Sequence, residues 1–87
     1  MMENKDIITV MVRSFIPPQE SIKGYELGRP FKIEMPRGIT LEGLAQRILS
    51  KNINQLGIMA VNGEVAKKNL VLAPGDKIDL YALLDGG

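Results

Sequence analysis

The chain switches between two hydrophobic periods, and the switches divide it into elements. Asp6 leads into Ile7-Ile8-Thr9-Val10-Met11-Val12-Arg13, a run rich in β-branched residues. Strand side chains alternate between faces, so Ile8, Val10 and Val12 share one face and Ile7, Thr9, Met11 and Arg13 the other. Phe31-Lys32-Ile33-Glu34-Met35 alternates apolar with polar and predicts a second, half-buried strand. Between them, Ser14 to Pro30 is broken by Pro17-Pro18 and punctuated by Gly24 and Gly28. That is long for a loop in a compact domain, so part of it is expected to be ordered or functional. The two strands are expected to pair as an antiparallel hairpin across it.

After Pro36-Arg37-Gly38 the period changes to that of a helix. Thr40 is suited to cap it, and Leu41, Leu44, Ala45, Ile48 and Leu49 form one apolar stripe. Glu42 near the start and Arg47 and Lys51 near the end suit the helix dipole. Gly43 weakens the helix and is expected to allow a close approach by the sheet. The stripe reads as core rather than as a partner site. Asn52 to Gln55 reads as a polar connector and Gly57-Ile58-Met59-Ala60-Val61 as a short buried strand. Asn62-Gly63 is a strong hairpin signal, because both central residues of a type I′ turn need positive φ. Glu64-Val65-Ala66 is the short return, and Lys67 to Leu72 is irregular or a single helical turn. Ala73-Pro74-Gly75-Asp76 makes a tight turn into a last strand, Ile78 to Leu83.

The economical packing lays the helix across one face of a mixed sheet. Ile8, Val10, Val12, Phe31, Ile33, Leu41, Leu44, Ile48, Val61, Ile78 and Leu80 are expected to fill the space between. The first and last strands hold neither glycine nor proline and are placed side by side at the centre. The expected fold class is α+β: a β-grasp (ubiquitin-like) roll, with a mixed sheet of four to five strands and one main helix on one face. The domain is expected to span residues 1–83, with 84–87 as a flexible tail.

At 87 residues the chain supports one small core. A formal net charge of +1 and four scattered aromatic residues argue against nucleic acid or an anionic membrane as partner. No apolar run is long enough to span a bilayer, and Met1 to Asp6 is too polar for a signal peptide, so the reading is of a cytoplasmic protein. The sequence has neither cysteine nor histidine. Thiolate chemistry, disulfides and histidine general acid–base catalysis by this chain are therefore excluded. Asp76 reads as a turn residue rather than half of a carboxylate pair.

The candidate chemistry lies at the other end. Leu84-Asp85-Gly86-Gly87 follows the last strand. Four extended residues reach at most roughly 13–14 Å, and glycines pass where side chains cannot. An α-carboxyl on Gly87 is ionised at neutral pH and is a usable oxygen nucleophile. Tyr81 and Leu83 fall on the face opposite Leu80, and Val65 and Met11 are candidates to join them in an exposed apolar patch of the kind that marks a binding site. Ordinary half-exposed strand residues are the alternative.

Ala60-Val61-Asn62-Gly63-Glu64, then Leu70 to Leu72, then Pro74-Gly75-Asp76-Lys77-Ile78, then Gly86-Gly87, resembles the C-terminal half of the ThiS/MoaD family of ubiquitin-like sulfur carriers, and within it the MoaD-like small subunits of molybdopterin synthase. The resemblance covers about a third of the chain directly. It implies that an E1-like enzyme, using ATP and magnesium, adenylates the Gly87 carboxylate, and that a sulfur donor then converts it to a thiocarboxylate. Gly86 keeps the approach bare, while Leu83, Leu84 and Asp85 guide the tail and the sheet face with Tyr81, Val65 and Met11 meets partners. The carrier is a co-substrate rather than an enzyme, binds no cofactor itself, and serves molybdopterin, tungstopterin or thiamin synthesis, where a synthase large subunit is a further partner. Two other readings stay open: a modifier joined to lysines through Gly87, and a β-grasp interaction domain without group-transfer chemistry.

Overall fold

The computed structural model describes residues 6–18 and 21–83. Met1–Lys5, Gln19-Glu20 and the Leu84–Gly87 tail lie outside the described residues. Strand β1 (Ile7–Ser14) pairs antiparallel with β2 (Phe31–Pro36), with Val10 opposite Ile33 and Ile8 opposite Met35. Helix α1 (Leu41–Leu49) and a 3-10 helix (Ser50–Gln55) lead to β3 (Leu56–Val61), which turns back as β4 (Glu64–Val65). Strand β5 (Lys77–Ala82) returns through the middle of the sheet. The sheet order is β2-β1-β5-β3-β4, with β1 and β5 parallel and the other neighbours antiparallel. The five strands, the single main helix and the central pair all agree with the expectation.

Each element forms where its local chemistry calls for it. The Thr40 hydroxyl accepts from the Gly43 amide at 3.1 Å and caps α1. Leu41, Leu44, Ala45, Ile48 and Leu49 are buried against Ile8, Val10, Val12, Phe31, Val61, Ile78 and Leu80 of the sheet. Each large side chain so buried contributes roughly 1.5–3 kcal/mol. Asn62 and Gly63 both take positive φ, at 53° and 86°. Asp76 is a turn residue: its carboxylate accepts from the Ala73 amide and the Asn62 side chain, at 2.8 and 2.9 Å.

Several expectations change. Ile33 is only half-buried, on a strand at the sheet edge, and Met35 is buried where Ile33 was expected to be. The polar connector after α1 is a 3-10 helix, and the Asn52 side-chain amide donates from it to the Pro17 carbonyl at 2.8 Å. Gly43 does not face the sheet. A Cβ there would lie 3.1 Å from Ile39 Cγ1 and 3.3 Å from the capping Thr40 hydroxyl. Strand β3 starts at Leu56, and only Ala60 and Val61 of it are buried, so it is no continuous buried strand. The last strand ends at Ala82, one residue short of Leu83.

The long connection after β1 is ordered at both ends by its own contacts. Ser14 Oγ donates to the Ile16 carbonyl at 2.7 Å and accepts from the Ile16 amide at 3.1 Å, a local turn that points Ile16 into the core. The Gly28 amide donates to the Ser14 carbonyl, and the Phe15 amide to the Leu80 carbonyl, both at 2.9 Å. Tyr25 packs edge-on against Phe31. Leu72, in the irregular stretch before β5, is also buried, held by its amide's bond to the Ile39 carbonyl at 3.0 Å.

Candidate functional site

The sheet face away from α1 carries the outward residues of β1, β5 and β3. Arg13 sits opposite Asp79 in the parallel β1–β5 register. Its Nε donates to Asp79 Oδ1 at 2.9 Å, and its Nη2 reaches the Tyr81 hydroxyl at 3.4 Å. The bond to Asp79, together with that carboxylate's charge, raises the Arg13 pKa further above its already high value. Arg13 also lies over the Phe15 ring, 5.3 Å from its centroid, and Phe15 stacks on Tyr81 at 5.3 Å with the rings 9° from parallel. Asp79, Arg13, Phe15 and Tyr81 thus form one fixed ladder, in which the ion pair orients the cation and the cation orients the rings.

Beside this ladder, Phe15, Gly57, Ile58, Tyr81, Ala82 and Leu83 line an apolar groove of about 580 Å³. Ile58 and Leu83 leave 54% and 64% of their surfaces in water, and Phe15 38%. A second hollow of about 620 Å³ lies beyond the Arg13–Asp79 pair, lined by Met11, Lys77 and Asn62 among others. Of the residues singled out in the sequence, Tyr81 and Leu83 come together in the apolar groove. Met11 shares their face of the sheet but lines the second hollow. Val65 is 77% exposed and lines a third, with Val61, Leu70 and Val71. Leu84, Asp85, Gly86 and Gly87 lie outside the described residues.

Four groove residues were not expected: Phe15, Gly57, Ile58 and Ala82, the last of which read only as part of the final strand. Phe15 sits in the proline-broken connection, where no period marks a face. Ile58 read as part of a buried run. Gly57 did carry a signal: a glycine within a strand often marks a close backbone approach. Here a Cβ on Gly57 would lie 2.9 Å from Leu83 Cα. Among the described residues no cluster of His, Cys, Asp or Glu could hold a metal ion, and no helix is long and apolar enough to cross a membrane.

No protein-family model and no curated protein sequence matches the chain. Solved structures do match. Caldiarchaeum subterraneum ubiquitin aligns with 93% of this chain and 99% of its own, at a TM-score of 0.61 and 15% sequence identity. The fold is a ubiquitin-like β-grasp. At that identity the likeness is one of architecture. The β-grasp places the groove on the open sheet face, at the end of β5 where the chain runs on into Leu84.

Proposed function

We propose that this β-grasp protein is a sulfur carrier whose Gly87 carboxylate is activated and sulfurated by partner enzymes. The observation that carries the reading is the ordered set Val61-Asn62-Gly63-Glu64, Pro74-Gly75-Asp76 and Gly86-Gly87, set on a β-grasp whose last strand leads to the diglycine. A mature chain ending on Gly87 is part of the proposal. An E1-like enzyme holds ATP and magnesium. A carboxylate oxygen of Gly87 attacks the α-phosphorus, pyrophosphate leaves, and an acyl-adenylate forms. Hydrosulfide supplied by the donor then adds through sulfur to the acyl carbon and AMP leaves, giving the thiocarboxylate; a persulfide donor would give an acyl disulfide first, which a thiol reductant cleaves to the same product.

Carboxylate oxygen is a poor leaving group and adenylate a good one, so the carrier needs no side-chain catalyst of its own. A chain without cysteine or histidine is compatible with that division of labour. The apolar groove with Tyr81 and Leu83 serves as the docking surface for the activating enzyme; Met11 and Val65 line other hollows and are left out of it, and Leu84 and Asp85 keep their role as guides of the tail. Molybdopterin, tungstopterin and thiamin synthesis are the candidate destinations, a synthase large subunit being the acceptor in the first.

ATP–pyrophosphate exchange tests the first step. The E1-like enzyme of the same organism is expected to catalyse exchange with the intact chain, and not when Gly87 is deleted or one alanine is added after it. Exchange that survives both changes would remove the Gly87 carboxylate as the required group. Activation followed by Gly-Gly remnants on lysines of other proteins would instead identify a modifier.

A further inference from the structure

Gly57 is unlike the turn glycines of this fold. Gly38, Gly63 and Gly75 take positive φ and have open space where a Cβ would stand. Their need is conformational. Gly57 does not have a left-handed φ, and its need is for room. A Cβ built on it would lie 2.9 Å from Leu83 Cα, 3.1 Å from Leu83 N and 3.2 Å from the Ala82 carbonyl oxygen, all backbone atoms.

The pairing of β3 with β5 explains the closeness. Met59 pairs with Leu80, yet Leu56 pairs with Ala82, so Gly57 and Ile58 together stand opposite Tyr81. This is a bulge of one extra residue on β3, a device that bends a strand and re-aims the residues beside it. The shifted register brings Gln55, the last residue of the 3-10 helix, opposite Leu83. The Leu83 amide donates to the Gln55 carbonyl at 2.6 Å. Pairing thus continues one residue past the end of β5. Leu83 stands four residues before Gly87 in the sequence, so this pairing holds the base of the segment that the carrier reading needs presented.

We propose that Gly57 and the Gln55 carbonyl form a clamp on the Leu83 backbone, making Gly57 a positioning residue for activation of the Gly87 carboxylate. The inference rests on the carrier reading for its functional half. A methyl group at position 57 must push Leu83 away by about half an ångström or more to regain ordinary contact, which strains and lengthens the 2.6 Å bond to Gln55. Misplacement of a reacting group by about 1 Å can cost ~100-fold in rate.

The test uses the full chain and its Gly57→Ala variant, with backbone amide exchange followed by NMR and ATP–pyrophosphate exchange catalysed by the E1-like enzyme of the same organism. In the wild type the Leu83 amide is expected to exchange more slowly than in an unstructured peptide. In Gly57→Ala that protection is expected to fall at least ~10-fold while Val12 and Ile78 keep theirs. The kcat of pyrophosphate exchange is expected to fall by about the same factor, read separately from any change in KM because Gly57 also lines the docking groove. A wild-type Leu83 amide exchanging like free peptide overturns the clamp, even if the variant fails to fold. So does a folded variant with unchanged kcat. If the wild type supports no pyrophosphate exchange at all, the carrier reading fails, and Leu83 protection alone decides whether the clamp exists.

Discussion

Ile58 offers the most direct perturbation of the docking groove. It lies on the open face of the sheet, and 54% of its surface remains in water. Full burial of an isoleucine side chain is worth roughly 1.5–3 kcal/mol, so covering the exposed half would contribute about 0.8–1.6 kcal/mol to docking. That alone corresponds to roughly 4–15-fold in Kd. Ile58→Lys removes this term and adds the cost of desolvating an ammonium group under the partner. The expected loss is therefore at least ~10-fold in affinity for the E1-like enzyme. The fold itself should lose less than about 1 kcal/mol, because the position is exposed and substitution in strands spans about that range. Titration calorimetry reads the affinity and urea denaturation the stability. Val71→Lys is the control: Val71 is 59% exposed, but it lies in the stretch before β5 that packs by the start of α1. Affinity unchanged in Ile58→Lys, or lowered equally in both variants, would refute the assignment of the groove.

Ile16→Ala should destabilise the domain by about 2–4 kcal/mol, the range for emptying a fully buried aliphatic site, read as a lower urea midpoint at constant m. A loss under about 1 kcal/mol would mean that the connection after β1 is not part of the core. Burial raises the Tyr25 pKa above its ordinary value of 10.0. The folded state thus favours the neutral phenol, whose hydroxyl makes long bonds to the Ser14 and Ile16 carbonyls at 3.5 and 3.4 Å. This contribution to stability is whole below the unfolded pKa near 10 and is lost as pH rises through the higher folded value. Thermal melts between pH 8 and 11 should show a steeper alkaline decline for the wild type than for Tyr25→Phe; parallel declines would contradict this role.

What could be read from the residues alone was whatever local periodicity or turn chemistry determines. The alternation of Ile8, Val10 and Val12, the stripe from Leu41 to Leu49 and the paired positive φ of Asn62-Gly63 are properties of neighbouring residues, and each is found in the structure. What failed depended on distant partners. Ile16 is buried because it joins a core cluster supplied by the helix and the other strands, and no pattern in a proline-broken stretch records that. Ile58 is apolar yet exposed because a bulge breaks the β3 register beside it. Ile33 and Met35 have equal claims by alternation, and only their packing in the folded edge strand separates them. Within the candidate site, Tyr81 and Leu83 were legible from β5, whereas their neighbours Phe15 and Ile58 come from elements whose faces the sequence left unmarked.

The measurement that bears most directly on the carrier account is the intact mass of the chain after incubation with its E1-like enzyme, ATP, magnesium and a sulfur donor. The account predicts a gain equal to one oxygen exchanged for sulfur, with fragmentation placing it on Gly87. A chain that returns at its original mass, while the same mixture sulfurates an established carrier, would contradict it.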